Sequence, residues 1–171
     1  MKKSDKPGSN VASAEIERER LKSLINSMAD GVIATDENGT IVLYNGEALN
    51  VLDTNKSLND EKIENALKII DKNDQAVDVK KLVLGTHTQQ TSRDYLIKLN
   101  DGSKINLYIS IAPVRLSYGK KGSQGYVVLL RDITREKSLE EERDEFISVV
   151  SHELRTPIAI AEGNVGNAQY I

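Results

Sequence analysis

The segment VIATDENGTIVLYN, residues 32–45, constrains the fold more than any other part of the chain. Two short β-branched runs flank Asn38-Gly39, a pair that tolerates the positive φ a tight hairpin needs. Paired strands are therefore predicted over Val32–Asp36 and Thr40–Asn45. A second turn of this kind, Asn100-Asp101-Gly102-Ser103, joins predicted strands Arg93–Leu99 and Lys104–Leu116. In the latter, Ile105, Leu107, Ile109 and Ile111 alternate with Asn106, Tyr108 and Ser110, the period of a sheet with one buried face. Pro113 has no N–H to give and predicts an edge or a bulge. Residues 117–125, SYGKKGSQG, read as a flexible loop before a last strand, Tyr126–Ile133.

Helical spacing appears in two other places. From about Glu15 onward, Leu21, Leu24, Ile25 and Met28 lie at i, i+3, i+4 and i+7, with Gly31 predicted to end the helix. Ile63, Ala66, Leu67 and Ile70 repeat that spacing, with Asn59 or Asp60 as N-cap, and a shorter helix is predicted over Glu47–Leu52. Residues 75–90 fit either a strand or a helix. The order gives an α+β class: a five-stranded antiparallel sheet with helices on one side, followed by a long C-terminal dimerising helix.

Composition removes several function classes. The 171 residues contain no cysteine, which excludes disulfides, a thiolate nucleophile and the usual structural zinc. A net charge of −3 offers no basic excess, so nucleic acid is not an expected partner. No apolar run is long enough to span a bilayer. Residues 1–14 begin MKKSDKPGSN, which lacks the apolar core of a signal peptide and reads as a disordered lead-in. The expected location is cytoplasmic, compatible with a plasma-membrane anchor in a full-length protein.

Two strands joined by DENGT, Asn45 closing the second, a helical middle, an Asn-Asp-Gly hairpin and a terminal Arg-Asp-Ile-Thr resemble a PAS domain over about residues 20–134. The resemblance implies a sheet that cups a small pocket with its helices. It also implies that Asp132, Ile133 and Thr134 couple the sheet to the helix that follows. The pocket ligand stays unknown. A photoactive flavin domain would need its reactive cysteine. Haem needs an axial ligand, and the only histidine in the domain, His87, reads as a solvent-exposed loop residue. The domain has neither Trp nor Phe to wall a flat chromophore, so neither haem nor flavin is expected.

From Thr134 the chain reads as one long charged helix. Leu139, Phe146, Val150, Leu154 and Ile158 follow spacings of seven and four, a coiled-coil seam interrupted by Arg143. So few apolar residues per turn leave an isolated helix little to bury. A parallel homodimer through this segment is therefore predicted. His152 lies off the seam, ~160–200° around the helix from Val150 and Leu154. Glu153 beside it and Thr156 one turn on share the outward side. Pro157 clashes with the carbonyl of Glu153, so a bend is predicted there. From helical position alone, His152 is an ordinary surface histidine.

The whole string FISVVSHELRTPIAI, residues 146–160, resembles the phosphoacceptor box of sensor histidine kinases. The resemblance implies that His152 is the phosphoacceptor and Glu153 the general base. Thr156 would position water for the reverse, phosphatase reaction, and Arg155 and Pro157 would support the motif structurally. The residue types suit this chemistry, because a neutral imidazole is a good nucleophile and a carboxylate stabilises the cation that forms.

ATP and Mg²⁺ are expected in the full-length kinase, held by an ATP-binding domain of the same protein whose motifs residues 158–171 do not carry. A response regulator is the expected recipient. The expected organisation is a lead-in (1–14), a PAS sensor with its N-terminal helix (15–134), a coiled-coil linker (135–146) and the incomplete phosphoacceptor helix (147–171). A chain truncated in this way would be inactive alone. The alternatives are a non-catalytic PAS dimerisation or ligand-binding module with the motif inert, and a cofactor-bearing light or gas sensor.

Overall fold

The first hairpin joins β1 (Gly31–Thr35) to β2 (Ile41–Tyr44), and Gly39 turns the chain at φ +77°. Asp36 clamps the turn: its Oδ1 accepts the N–H groups of Asn38 at 2.9 Å and Thr40 at 2.8 Å. The second hairpin joins β3 (Gln90–Lys98) to β4 (Lys104–Arg115), with Gly102 at φ +88°. The last strand is β5 (Gln124–Asp132). The structure is a computed structural model that describes residues 8–115 and 124–168. Residues 1–7, most of the predicted 117–125 loop and Leu116 therefore lie outside the described residues.

The five strands form one antiparallel sheet in the order β2-β1-β5-β4-β3. The first and last strands are thus neighbours, with Gly31 opposite Leu130. Pro113 lies past Ile111, the last β4 residue opposite β3, so on that side it meets a local edge. An edge is where a residue without an N–H costs the ladder nothing.

One face of the sheet carries the core. Ile33, Leu107, Ile109, Ile111, Val128 and Leu130 project to it. Against them pack the short helices α2 (Gly46–Val51), α3 (Ile63–Ala66) and α4 (Val79–Leu84), through Ala48, Val51, Ile63, Val79 and Val83. Each buried aliphatic side chain contributes about 1.5–3 kcal/mol relative to exposure.

The segment from Ile63 to Ile70 departs from the expected helix. It makes a single turn capped at Lys62, not at Asn59 or Asp60, and Leu67 is already extended. Leu67 and Ile69 are both buried while Lys68 between them is exposed, which is strand alternation. The N–H of Ile70 then bonds to the carbonyl of Leu96 at 2.9 Å. Burial on the sheet overrides the local helical spacing. The segment left open resolves as α4, because the side chain of Asp78 accepts the N–H of Lys81 at 2.9 Å as an N-cap.

The N-terminal helix α1 runs over Gly8–Asn26, starting inside the residues read as lead-in and stopping before Gly31. Gly31 instead opens β1, where a side chain would not fit. The chain separates into two compact units, one ending at Asp132 and the other beginning at Ile133. The second contains α5 (Thr134–Ala168), a helix of 35 residues with Pro157 inside it. Among the described residues, no helix is long and apolar enough to cross a membrane.

Candidate functional site

On α5, Ser151, His152, Glu153, Leu154, Arg155 and Pro157 are all exposed. The Thr156 side chain lies outside the described residues, so its orientation toward His152 stays a matter of helical spacing. Among the described residues, none makes a hydrogen bond or ion pair with the side chain of His152 or Glu153. An imidazole in that state has both ring nitrogens open to an incoming group. The seam residues Leu139, Phe146 and Leu154 are 56%, 67% and 53% exposed, although only apolar burial would explain their spacing. Ile147 and Val149 widen the same uncovered surface, and Val150 is half-buried. The interrupting Arg143 is exposed, with Asp144 3.1 Å away.

The three predicted coupling residues occupy the junction of the two units. Asp132 ends β5 opposite Leu107, and Thr134 is the first residue of α5. Between them, the Ile133 carbonyl accepts the N–H of Lys137 at 3.0 Å and so closes the first turn of α5.

At the start of β1, beside the end of β5, a buried amide holds four pieces of backbone together. Asn45 is 1% exposed. Its Oδ1 accepts the N–H of Val32 at 2.8 Å and of Ala48 at 3.0 Å, capping α2. Its Nδ2 donates to the carbonyls of Asp30 at 2.9 Å and Ile25 at 3.0 Å, the latter near the end of α1. These groups stand at a helix end or a strand start, where regular ladders leave gaps, and the Ile25 carbonyl also accepts the N–H of Met28 at 3.3 Å. The Asp30 carboxylate in turn receives the Arg131 guanidinium in a two-pronged pair, Nε–Oδ1 2.6 Å and Nη2–Oδ2 2.8 Å. Sequence reading placed Asn45 as the residue closing a strand and Arg131 as part of the terminal Arg-Asp-Ile-Thr, but did not pair Arg131 with Asp30, because no local spacing links residues so far apart.

The core under the sheet is filled by aliphatic side chains: nearly every large residue buried completely is Ile, Leu or Val. Among the described residues, two side-chain polar atoms are buried without a hydrogen-bond partner, Thr35 Oγ1 and Glu64 Oε2. His87 is exposed at a bend after α4. No group of three or more potential metal ligands occurs among the described residues. Burial works against the Asp36 charge, but the N–H groups of Thr40 and Asn38, the Thr40 hydroxyl and Lys62 together hold its carboxyl below the ordinary range.

A five-stranded sheet with its first and last strands paired, one helical face and a helix leaving the last strand defines the class. The chain belongs to the PAS-fold family, whose sequence model matches residues 19–133. Its relatives are sensor kinases. It is 32% identical over 148 residues to the sensor protein kinase WalK of Staphylococcus saprophyticus, which covers 86% of this chain and 22% of that protein. It is 33% identical over 160 residues to the sensor histidine kinase WalK of Bacillus subtilis, covering 89% of this chain and 24% of the relative. The chain thus spans about a quarter of the relatives it matches, and the likeness reaches beyond the PAS fold itself.

Solved structures agree on the fold. The PAS domain of an HTR-like protein from Haloarcula marismortui superposes with TM-score 0.54 at 21% identity, covering 74% of this chain and 99% of that one. A PAS domain from Colwellia psychrerythraea does so with TM-score 0.50 at 17% identity, covering 70% of this chain and 98% of that one.

Proposed function

We propose that this chain is the sensing and phosphoacceptor part of a histidine kinase, with His152 as the residue phosphorylated. The observation that carries the reading is the string around His152 on an exposed, unpaired helix face, directly downstream of a PAS unit. In the reaction a ring nitrogen of His152 attacks the γ-phosphorus of ATP. The bond to the β–γ bridging oxygen breaks, ADP leaves, and a P–N bond forms. Glu153 takes up the charge that develops on the ring, and Thr156 serves the reverse reaction by orienting water. Arg155 and Pro157 shape the helix around them.

ATP and Mg²⁺ are supplied by an ATP-binding domain of the whole protein, and the phosphoryl group then passes to an aspartate oxygen of a response regulator. Two copies pair through α5, which covers Leu139, Phe146 and Leu154. Asp132, Ile133 and Thr134 transmit the state of the PAS unit to that helix. In this reading the linker 135–146 leads into the phosphoacceptor segment 147–171, and the helix of the sensor unit begins at Gly8, inside the residues 1–14 expected as a lead-in. The reading places the unit in the cytoplasm, with a membrane anchor compatible in the whole protein. It assigns no haem or flavin, supported by the aliphatic core and by His87 at an exposed bend. A purified sample is expected to show no visible absorption band.

The test of the acceptor role supplies a purified sensor-kinase ATP-binding domain, Mg²⁺ and labelled ATP to this chain. Label on wild type and none on His152→Ala supports the reading. No label on wild type, or equal label on both, overturns it.

A further inference from the structure

The two ends of the PAS unit meet at one residue. Asp30 follows the end of α1, and its main-chain carbonyl is held by Asn45 Nδ2 at 2.9 Å. The same Nδ2 group holds the Ile25 carbonyl on α1 at 3.0 Å. The side chain of Asp30 faces the other way and grips Arg131, the last residue before Asp132-Ile133-Thr134, through two bonds of 2.6 and 2.8 Å. The Arg131 guanidinium also lies over the ring of Tyr108 on β4, 5.9 Å from its centroid.

This pair differs from an ordinary surface ion pair in geometry. A bidentate guanidinium–carboxylate contact fixes direction as well as distance. The Asp30 side chain is only 17% exposed, against 53% for Arg131, so the anion is held while the cation reaches in to it. Asn45 is fully buried and its four bonds leave it no freedom to turn. The last turn of α1 and the last residues of β5 are therefore joined by a short, stiff chain of hydrogen bonds: Ile25, Asn45, Asp30, Arg131. That chain runs along the rim of the sheet and bypasses the aliphatic core where a pocket ligand would act.

We propose that Asn45, Asp30 and Arg131 are positioning residues that carry a displacement of α1 directly to the end of β5. The PAS unit can then be driven from its N-terminal helix as well as from its pocket. The use of such a relay in signalling rests on the kinase reading, but its existence does not. The test therefore reads backbone exchange and not phosphorylation.

Amide hydrogen exchange is measured at single-residue resolution on the full chain. Asp30→Asn keeps the main-chain carbonyl and removes the charge. It is expected to speed exchange at Arg131 and Asp132 by roughly threefold to tenfold relative to Val127 and Val128 in the same strand. The exchanged pair Asp30→Arg with Arg131→Asp is expected to recover most of that protection. Ser27→Pro removes the N–H that bonds to the Ser23 carbonyl and so frays the end of α1. It is expected to speed exchange at Arg131 when Asp30 is present and to add nothing in the Asp30→Asn background. A uniform rise along β5, no recovery in the exchanged pair, or additive effects of Ser27→Pro and Asp30→Asn would each overturn the proposal.

Discussion

Gly31 lets β1 pass so close to α2 that a methyl group on it would sit 2.9 Å from the Cα of Ala48. The atom it would meet is backbone, which cannot rotate away. Gly31→Ala should therefore cost about 1–3 kcal/mol, as overpacking does elsewhere, and lower the midpoint of thermal unfolding by several degrees. An unchanged midpoint would mean that α2 can shift away from the sheet without loss.

Asn45 predicts a larger effect. Asn45→Ala strips partners from two N–H groups and two carbonyls at once and should cost about 3–5 kcal/mol in urea denaturation. Asn45→Asp keeps the acceptor for Val32 and Ala48 but turns a carboxylate oxygen toward the carbonyls of Ile25 and Asp30. Burial and those carbonyls raise the pKa of the new acid above its unfolded value. The variant should accordingly gain stability as pH falls through that raised value, while the Ala variant should not.

Asp36 sets part of the acid limit of the domain. Its folded carboxyl lies below the ordinary range, so its contribution is complete above the unfolded pKa near ~3.9 and is lost as pH falls through the folded one. Asp36→Ala should cost about 1–2 kcal/mol at neutral pH, by loss of the turn's two N–H bonds. It should also flatten the fall in stability below pH ~4. Circular dichroism melts across that range give both quantities.

Phe146 is 67% exposed on α5, in a row with Leu139 and Leu154. If a second copy covers that row, Phe146→Glu should weaken self-association at least about tenfold, the loss expected when one buried aromatic anchor is removed. The melting of the PAS unit should stay as it is. Sedimentation equilibrium decides it, and equal association of both proteins would remove the dimer from the account.

How much of this was written locally varies from place to place. The hairpins at Asn38-Gly39 and Asn100–Ser103 were legible because turn chemistry is a property of four residues. The segment Ile63–Ile70 was not, because the partner of Ile70 is Leu96 on β3 and the burial of Leu67 and Ile69 follows the sheet. Residues 75–90 needed the Asp78 cap to be recognised as a helix start. The resemblance of residues 146–160 to a phosphoacceptor box needed only their own letters, since they are consecutive on one helix. The Asp30–Arg131 pair could not, since its members stand 101 residues apart and meet only because β1 and β5 are neighbours.

The central claim concerns one nitrogen. After incubation with ATP, Mg²⁺ and a sensor-kinase ATP-binding domain, the phosphorylated chain is digested under alkaline conditions and mapped by fragmentation mass spectrometry. The account predicts a single acid-labile phosphate on the peptide containing His152, on the histidine itself, much reduced in Glu153→Gln. Phosphate on Ser151 or Thr156 with His152 unmodified, or an acid-stable linkage, would contradict it.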